Sequence, residues 1–239
     1  MAGLAVGPAV GGDLRVEVNL PAYILRLYDG EKLLMERPVT IGDPEHPTPA
    51  GRWEVDRLIW NPAWIPPRSM RETAGSERRP PGPENPMGAV KIQLAGPYYI
   101  HGTRRLGRLG RAMSHGCVRL ANGTAVRLAE RLQRHLLSPD RRVEIRRQRE
   151  AHPGRPVRVR LPEPVPVEIR YQPLVLDKTG GVLYPDVYDR IGDVRSYLRE
   201  ALARDLDVPS ERLTLGGGSL LGRLGDQWSR PLQFELEIN

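Results

Sequence analysis

Alternation of apolar and polar residues dominates the first hundred positions of the chain. The segment 14–42 alternates on both sides of Asp29 and Gly30, a pair typical of hairpin turns, and therefore predicts an antiparallel β-hairpin. A turn followed by another strand is predicted over 46–60, and alternation returns over 89–103. The N-terminal half is therefore expected to be built mainly from β-strands.

Helical periodicity is confined to the second half. Apolar residues recur on one face over 123–137, which predicts an amphipathic helix with Asn122 or Thr124 as its N-cap. A second helix is predicted over 193–206, capped by Asp193. With so few helices among the strands, the chain is expected to be mainly β and not a series of βαβ units.

Four further segments carry weaker signals. Residues 138–150 are ambiguous, because their first two residues, serine and proline, suit a helix start while two later apolar residues alternate as in a strand. Residues 153–171 predict strands whose prolines suit edge positions. Residues 61–89 hold seven prolines and predict a long loop, either a lid or a disordered insert. A flexible loop over 213–227 and a closing strand over 231–238 complete the prediction.

Composition narrows the class of protein. The 239 residues carry a net charge of +7, nearly all from arginine, which suits either an ordinary solvated surface or an anionic partner such as a lipid or wall polymer. Because the arginines are dispersed and no aromatic residues are interleaved with them, nucleic acid is not an expected partner. One cysteine excludes an internal disulfide framework. No apolar run is long enough for a membrane span, and the N-terminal residues do not resemble a secretory leader.

The candidate chemistry lies in "IHGTRRLGRLGRAMSHGCVRLAN", residues 100–122, which contains the single cysteine, Cys117, and two histidines, His101 and His115. A lone cysteine is most often a small buried hydrophobe, and these three side chains are also legal zinc ligands, although their spacing matches no structural zinc pattern. The third interpretation is acyl transfer by a thiolate that an imidazole activates. No acidic residue lies between 85 and 129, so a backbone carbonyl is the better candidate to orient the histidine.

The motif "IHGT…SHGCVRL" closely resembles the active-site signature of the L,D-transpeptidases, the YkuD domain family. Three further segments resemble the same family in the same order: "GDPEHPTPAGRWEV", the region around "RRPPGPENPMGAVKIQL", and the C-terminal extension of its longer members in "RLPEPVPVEIRYQPLVLDKTGGVLYPDVYDR". The resemblance implies a β-sandwich-like catalytic domain with a helix beside the active-site loop. We expect an N-terminal tail over 1–13, the catalytic domain over 14–161, and a smaller α+β extension over 162–239.

The resemblance also implies roles for individual residues. Cys117 would be the nucleophile that forms a thioester, His101 would activate it, and the carbonyl of Gly102 would orient His101. The N–H groups of Gly116 and Cys117, with His115, would form the oxyanion hole. Ser114 would help to shape the loop and the substrate groove. Arg119 could clamp a peptide carboxylate, with the bonding of loop carbonyls an equal alternative. Tyr99, Trp60 and Trp64 could line the groove, with structural packing the better alternative for each.

The implied reaction joins peptidoglycan stem peptides without a metal or an organic cofactor. The thiol would cleave the bond between a diamino acid and a terminal D-alanine, and an amine of a second stem or of a wall-anchored protein would resolve the thioester. Resolution by water would make the enzyme an L,D-carboxypeptidase, and a silent wall-binding module is a third hypothesis. The substrate implies an extracytoplasmic location, reached by means of a leader that this sequence does not show.

Overall fold

The computed structural model describes residues 13–66, 77–177, 180–206, 213–215 and 230–238. The chain divides into two compact units, the first comprising residues up to 18 together with 23–169, the second comprising 19–22 and 170–239. The division at 169/170 differs from the predicted boundary at 161/162. The reason is that one long strand, Val157–Arg170, continues through the predicted boundary and pairs with the first unit almost to its end.

The first unit is built around a sheet of eight strands. In chain order, the strands of this unit are β1 (Leu14–Asn19), β2 (Ile24–Asp29), β3 (Lys32–Pro38), β4 (Ile41–Gly42), β5 (Gly51–Trp60), β6 (Val90–Gln93), β7 (Tyr99–Thr103), β8 (Ala112–Ser114), β9 (Val118–Ala121) and β10 (Val157–Arg170). The order in the large sheet is β3-β2-β1-β10-β5-β6-β7-β9, and β4 pairs with β8 separately. The predicted hairpin is confirmed as the antiparallel pair of β2 and β3 around Gly30.

Helix α1 (Asn122–Leu136) confirms the amphipathic prediction, since Ala125, Leu128, Ala129 and Leu132 are all buried. It packs on β6, β7 and β9. Its predicted cap is wrong. The N-cap is Ala121, which makes no side-chain bond, and the Asn122 carboxamide instead accepts from the N–H of Ala89 at 2.8 Å. The Asn122 side chain thus binds the backbone at Ala89, a residue distant in sequence, and does not cap its own helix.

The ambiguous segment forms a helix, α2 (Pro139–Ala151). The hydroxyl of Ser138 accepts from the N–H of Arg141 at 3.3 Å, and Pro139 occupies the first turn, where its missing N–H costs nothing. Ile145 is buried whereas Val143 is 40% exposed. Of the two apolar residues that suggested a strand, only Ile145 therefore packs in the core, as one buried position of a helix.

The edge position predicted for the proline-rich strand is wrong. Strand β10 lies inside the sheet, between β1 and β5. Its pairing with β5 shifts register between Arg160 and Val165, and the break contains Pro162 and Pro164, which have no N–H to donate to a ladder. The irregularity in the middle of the strand thus admits Pro162 and Pro164, whereas Pro166 lies in the regular part and pairs with Glu54.

The described residues of the second unit form a four-stranded sheet in the order β11-β12-β14-β13 and one helix. The strands are β11 (Leu174–Leu176), β12 (Gly180–Leu183), β13 (Leu213–Leu215) and β14 (Leu232–Ile238), and the helix is α3 (Val194–Leu206). Asp193 caps α3 as predicted, accepting from the N–H of Ser196 at 2.7 Å. Leu198, Leu202 and Phe234 join the helix to the sheet in one core.

These elements confirm a mainly β chain with few helices and a smaller α+β C-terminal part. The closing strand is confirmed by β14, while most of the predicted flexible loop 213–227 lies outside the described residues, apart from β13. None of the helices in the described part of the chain is long and apolar enough to span a membrane.

Candidate functional site

Cys117 lies immediately before β9 and is partly accessible, with its Sγ 3.7 Å from the carbonyl oxygen of Pro97. Burial raises the pKa of the thiol above its ordinary value. A backbone hydrogen bond from Tyr99 and the positive charges of Arg119 and Lys91 lower the pKa, but they do not outweigh burial. The cysteine is therefore a protonated thiol near neutral pH, set among groups that favour its anion.

His101 lies in β7 and is only 3% exposed. Its Nδ1 is 2.9 Å from the carbonyl oxygen of Gly102, the group to which the sequence analysis assigned the orienting role. Since a carbonyl can only accept, Nδ1 carries the hydrogen and Nε2 keeps its lone pair. Burial, followed by the charge of Arg119, lowers the pKa of His101 from 6.5 to about 4. The imidazole is therefore neutral near neutral pH, and its Nε2 can accept a proton.

Strand pairing places Cys117 and His101 on one face of the sheet. β7 and β9 run parallel, with His101 opposite Arg119. Cys117 precedes Arg119 by two residues, so side-chain alternation puts its thiol on the same side as the imidazole, one step along the neighbouring strand. Helix α1 packs on β7 and β9. Ile100 and Val118, the neighbours of His101 and Cys117 in sequence, are fully buried.

The loop before Cys117 is fixed by buried hydroxyl groups. The Oγ of Ser114 is fully buried and donates to the carbonyl of Cys117 at 2.6 Å. Thr48 donates to the carbonyl of Gly116 at 3.0 Å and accepts from the N–H of Gly42 at 2.8 Å. The structure contains no cis peptide bond among its described residues, so the Cys117 N–H points away from Thr48, opposite to the Gly116 carbonyl.

Gly116 occupies a position that no other residue fits well. Its φ is +89°, and a Cβ at this position would come within 2.7 Å of Cε1 of Tyr98. Gly102 is tightly packed for a different reason, because a Cβ there would lie 2.4 Å from Oδ1 of Asn122 at the start of α1. The absence of a side chain at Gly102 and Gly116 thus allows the His101 and Cys117 segments to pack closely against Asn122 and Tyr98.

Sequence reasoning missed the residues that flank His115. The His115 ring is exposed and lies 4.5 Å from the His46 ring, centroid to centroid, while Nδ1 of His46 is 3.0 Å from Oδ1 of Asp43. The N–H of Asp43 donates to the carbonyl of Ser114 at 2.9 Å. The available signal was the segment 42–55, which resembles the L,D-transpeptidases but was given no site residue, although it contains Asp43, His46 and Thr48.

The predicted groove residues occupy different environments. Nη1 of Arg119 lies 3.4 Å from the carbonyl of Met113, and its Nε is buried without a partner among the described residues. The ring of Tyr99 lies 4.2 Å below the ammonium of Lys91. Trp60 is fully buried under the guanidinium of Arg149, so it is a packing residue.

Trp64 belongs to the loop 61–89, of which 61–66 and 77–89 are described. It forms an isolated bridge with Arg79, whose guanidinium lies 5.9 Å from the tryptophan ring. The side chain of Asn85 ties this loop together by donating to the carbonyls of Pro62 and Pro80, each at 2.8 Å. The described parts of the loop are therefore ordered by specific contacts.

A cleft of about 700 Å³ lies on the large sheet, in the first unit. Its lining includes Leu94 and Ala95, close in sequence to Pro97, together with Trp53, whose ring lies 6.1 Å from that of Tyr98. Both signs of charge surround it, in the side chains of Arg15, Glu17, Arg52, Glu54 and Glu168. Within the described residues, no group of three or more metal-ligating side chains is placed to hold a metal ion.

Most of the first unit matches the model of one known protein family. The model of the L,D-transpeptidase catalytic domain family, YkuD, matches residues 13–159. The chain belongs to the L,D-transpeptidase family. The match includes β1 to β9, both helices α1 and α2, and every residue of the His101–Cys117 motif.

Two curated relatives show the extent of the similarity. The chain is 31% identical over 146 residues to the probable L,D-transpeptidase ErfK/SrfK of Salmonella typhimurium, covering 52% of this chain and 47% of that protein. It is 29% identical over 116 residues to the putative L,D-transpeptidase YkuD of Bacillus licheniformis, covering 48% of this chain and 58% of that protein. The chain thus spans about half the length of the curated relatives it matches.

Solved structures of L,D-transpeptidases are also similar to the chain. An L,D-transpeptidase from Mycobacterium smegmatis aligns with a TM-score of 0.42 at 14% identity, covering 67% of this chain and 59% of the other. L,D-transpeptidase 3 from Mycobacterium tuberculosis aligns with a TM-score of 0.43 at 15% identity, covering 67% of this chain and 62% of the other.

Proposed function

We propose that this L,D-transpeptidase family member is a cysteine acyltransferase that acts on peptidoglycan stem peptides. The observation that supports it best is the shared sheet face of His101 and Cys117, with the imidazole held by the Gly102 carbonyl at 2.9 Å. A thiol needs a base nearby and a base needs an orienting partner. The shared face supports the first requirement, and the Gly102 carbonyl supports the second without a carboxylate.

The first half-reaction would acylate the enzyme. Sγ of Cys117 attacks the carbonyl carbon between the diamino acid and the terminal D-alanine, and the thiol proton passes to Nε2 of His101. The N–H of Cys117, with those of Gly116 and His115 in the same loop, is the candidate donor set for the oxyanion. When the C–N bond breaks, His101 returns its proton to the amine of the departing D-alanine, and a thioester remains.

The second half-reaction would release the acyl group. An acceptor amine attacks the thioester carbon, the C–S bond breaks, and the amine proton returns through His101 to the sulfur of Cys117. The product is a new amide, either a cross-link between two stems or a link to a wall-anchored protein. Every atom and proton is accounted for without a metal or an organic cofactor.

Hydrolysis is the main alternative, with water in the place of the amine. The two reactions share the thioester and differ in their products, which are a new amide with an amine and a free carboxylate with water. Peptidoglycan stem peptides lie outside the cytoplasm, so acting on them would place the enzyme there as well. The third hypothesis, a silent wall-binding module, gives no reason for a thiol and an imidazole on one sheet face.

The test is acylation followed by product analysis. Wild-type protein incubated with imipenem is expected to gain the mass of one adduct, and Cys117→Ala is expected to gain none while keeping its circular dichroism spectrum. With tetrapeptide muropeptides, cross-linked dimers would support transfer, and tripeptide monomers alone would show hydrolysis. Unchanged turnover by Cys117→Ala would refute the mechanism, and a much slower rate with retained binding is expected for His101→Gln.

A further inference from the structure

Three neighbouring strands carry a row of basic side chains beside the nucleophile. In the register of β6 and β7, Lys91 pairs with His101, and in the register of β7 and β9, His101 pairs with Arg119. The three side chains therefore lie side by side on one face. Tyr99 on β7 and Cys117 just before β9, each two residues before His101 and Arg119 respectively, continue the same face one step along.

Tyr99 contacts both Lys91, through its ring, and Cys117, through its backbone. The Nζ of Lys91 lies 4.2 Å from the centre of the Tyr99 ring, a distance at which an ammonium is attracted to the ring face. The backbone of Tyr99 also makes a hydrogen bond to Cys117 that favours the thiolate. The lysine is half-buried, so its charge is less screened than that of a surface lysine.

Before any proton transfer His101 is neutral at physiological pH, so in the resting site it places no positive charge near the sulfur. The charged groups that face Cys117 are Lys91 from β6 and Arg119 from β9, and each lowers the pKa of the thiol. The converse holds as well, because Cys117 raises the pKa of Lys91, although burial and the charge of Arg158 on β10 act in the opposite direction.

We propose that Lys91 is a positioning residue whose ammonium, held on the ring of Tyr99, stabilises the anion that forms at Cys117. Unlike Arg119, Lys91 is not among the residues that the signature motif implicates. This proposal rests on the proposed function only in taking Cys117 as the nucleophile. The experiment can therefore measure the reactivity of the Cys117 thiol directly, without peptidoglycan turnover.

The test measures the rate of Cys117 alkylation by iodoacetamide as a function of pH, followed by intact mass. Because the chain has one cysteine, each adduct reports this thiol alone. Lys91→Met is expected to move the midpoint of the pH profile upward by about one unit, which slows alkylation at neutral pH roughly tenfold. Lys91→Arg keeps the charge and should restore the rate to within about threefold of wild type.

Lys32→Met is the matched control, since Lys32 is an exposed residue of the hairpin, and its profile should superimpose on that of wild type. Thermal melts verify that each variant is folded. Should Lys91→Met misfold, Tyr99→Leu removes the ring beneath the ammonium and is expected to shift the midpoint in the same direction.

A Lys91→Met profile identical to wild type, or Lys91→Arg as slow as Lys91→Met, would overturn the proposal. Failure of the proposed function has a different signature. In that case the alkylation profile would still respond to Lys91, but neither imipenem adducts nor muropeptide products would form.

Discussion

Acidification should destabilise this protein through His101 in particular. The folded-state pKa of His101 is about 4, against an ordinary 6.5 in the unfolded chain. Between these two values the unfolded state binds a proton that the folded state refuses, so the free energy of unfolding falls as the pH falls. The loss is complete below the folded pKa, where the difference of the two values corresponds to about 3 kcal/mol.

The measurement isolates this histidine from the other titrating groups. Urea unfolding, followed by tryptophan fluorescence, is carried out at intervals from about pH 7 to about pH 4 for wild type and for His101→Gln. Glutamine can still donate to the Gly102 carbonyl but does not titrate. The wild-type free energy of unfolding should therefore fall relative to that of the variant, by up to about 3 kcal/mol at the acid end.

His152→Gln is the control, because His152 is exposed at the end of α2, and its curve should run parallel to wild type. Parallel curves for wild type and His101→Gln across this range would contradict the reasoning. That result would mean that His101 takes up its proton in the folded state as readily as in the unfolded one, and that its burial does not keep it neutral.

Three further predictions concern Gly116, Thr48 and Ser138. Gly116→Ala should reduce imipenem acylation more than tenfold, because the new Cβ meets Tyr98 at 2.7 Å, whereas Gly30→Ala, also at positive φ but with no atom within 4 Å, should cost only about 1 kcal/mol in a urea melt and leave acylation unchanged. Thr48→Val should lower the free energy of unfolding by about 1–3 kcal/mol and slow acylation, since it removes two buried hydrogen bonds; equal acylation rates would refute its anchoring role. Ser138→Ala should cost about 1 kcal/mol in the same melt without affecting acylation, as expected for a helix cap distant in sequence from the motif.

Local patterns were sufficient for elements whose signal lies in one stretch of chain. The hairpin around Gly30, helix α1 and the Asp193 cap each depend on neighbours in sequence, and each was predicted correctly. The helix cap at Asn122 was not, because the carboxamide of that residue is used by Ala89, which is distant in sequence. Likewise, the interior position of β10 depends on which strands flank it, and its prolines alone could not reveal that.

The candidate site shows the same division. The residue types and spacing of the motif singled out Cys117 and His101, and the absence of a nearby acidic residue pointed to a backbone carbonyl. The positions of Thr48 and Lys91 could not be predicted in this way. Thr48 bonds to Gly116 from a segment far earlier in the chain, and Lys91 comes to lie beside His101 and Arg119 only through the register of three strands.

The opposite displacements of the two pKa values bear on how the proposed chemistry would proceed. A raised pKa at Cys117 and a lowered pKa at His101 favour a neutral pair over a preformed thiolate–imidazolium pair. The proton would then move only as the sulfur attacks, and the imidazolium so formed would be a strong acid because its site resists the charge. A strong acid is well suited to protonating a departing amine, so the burial that makes His101 a weak base would favour expulsion of D-alanine. Positive charge beside the sulfur, supplied by Lys91 and Arg119, would offset that weakness in the first step by stabilising the anion.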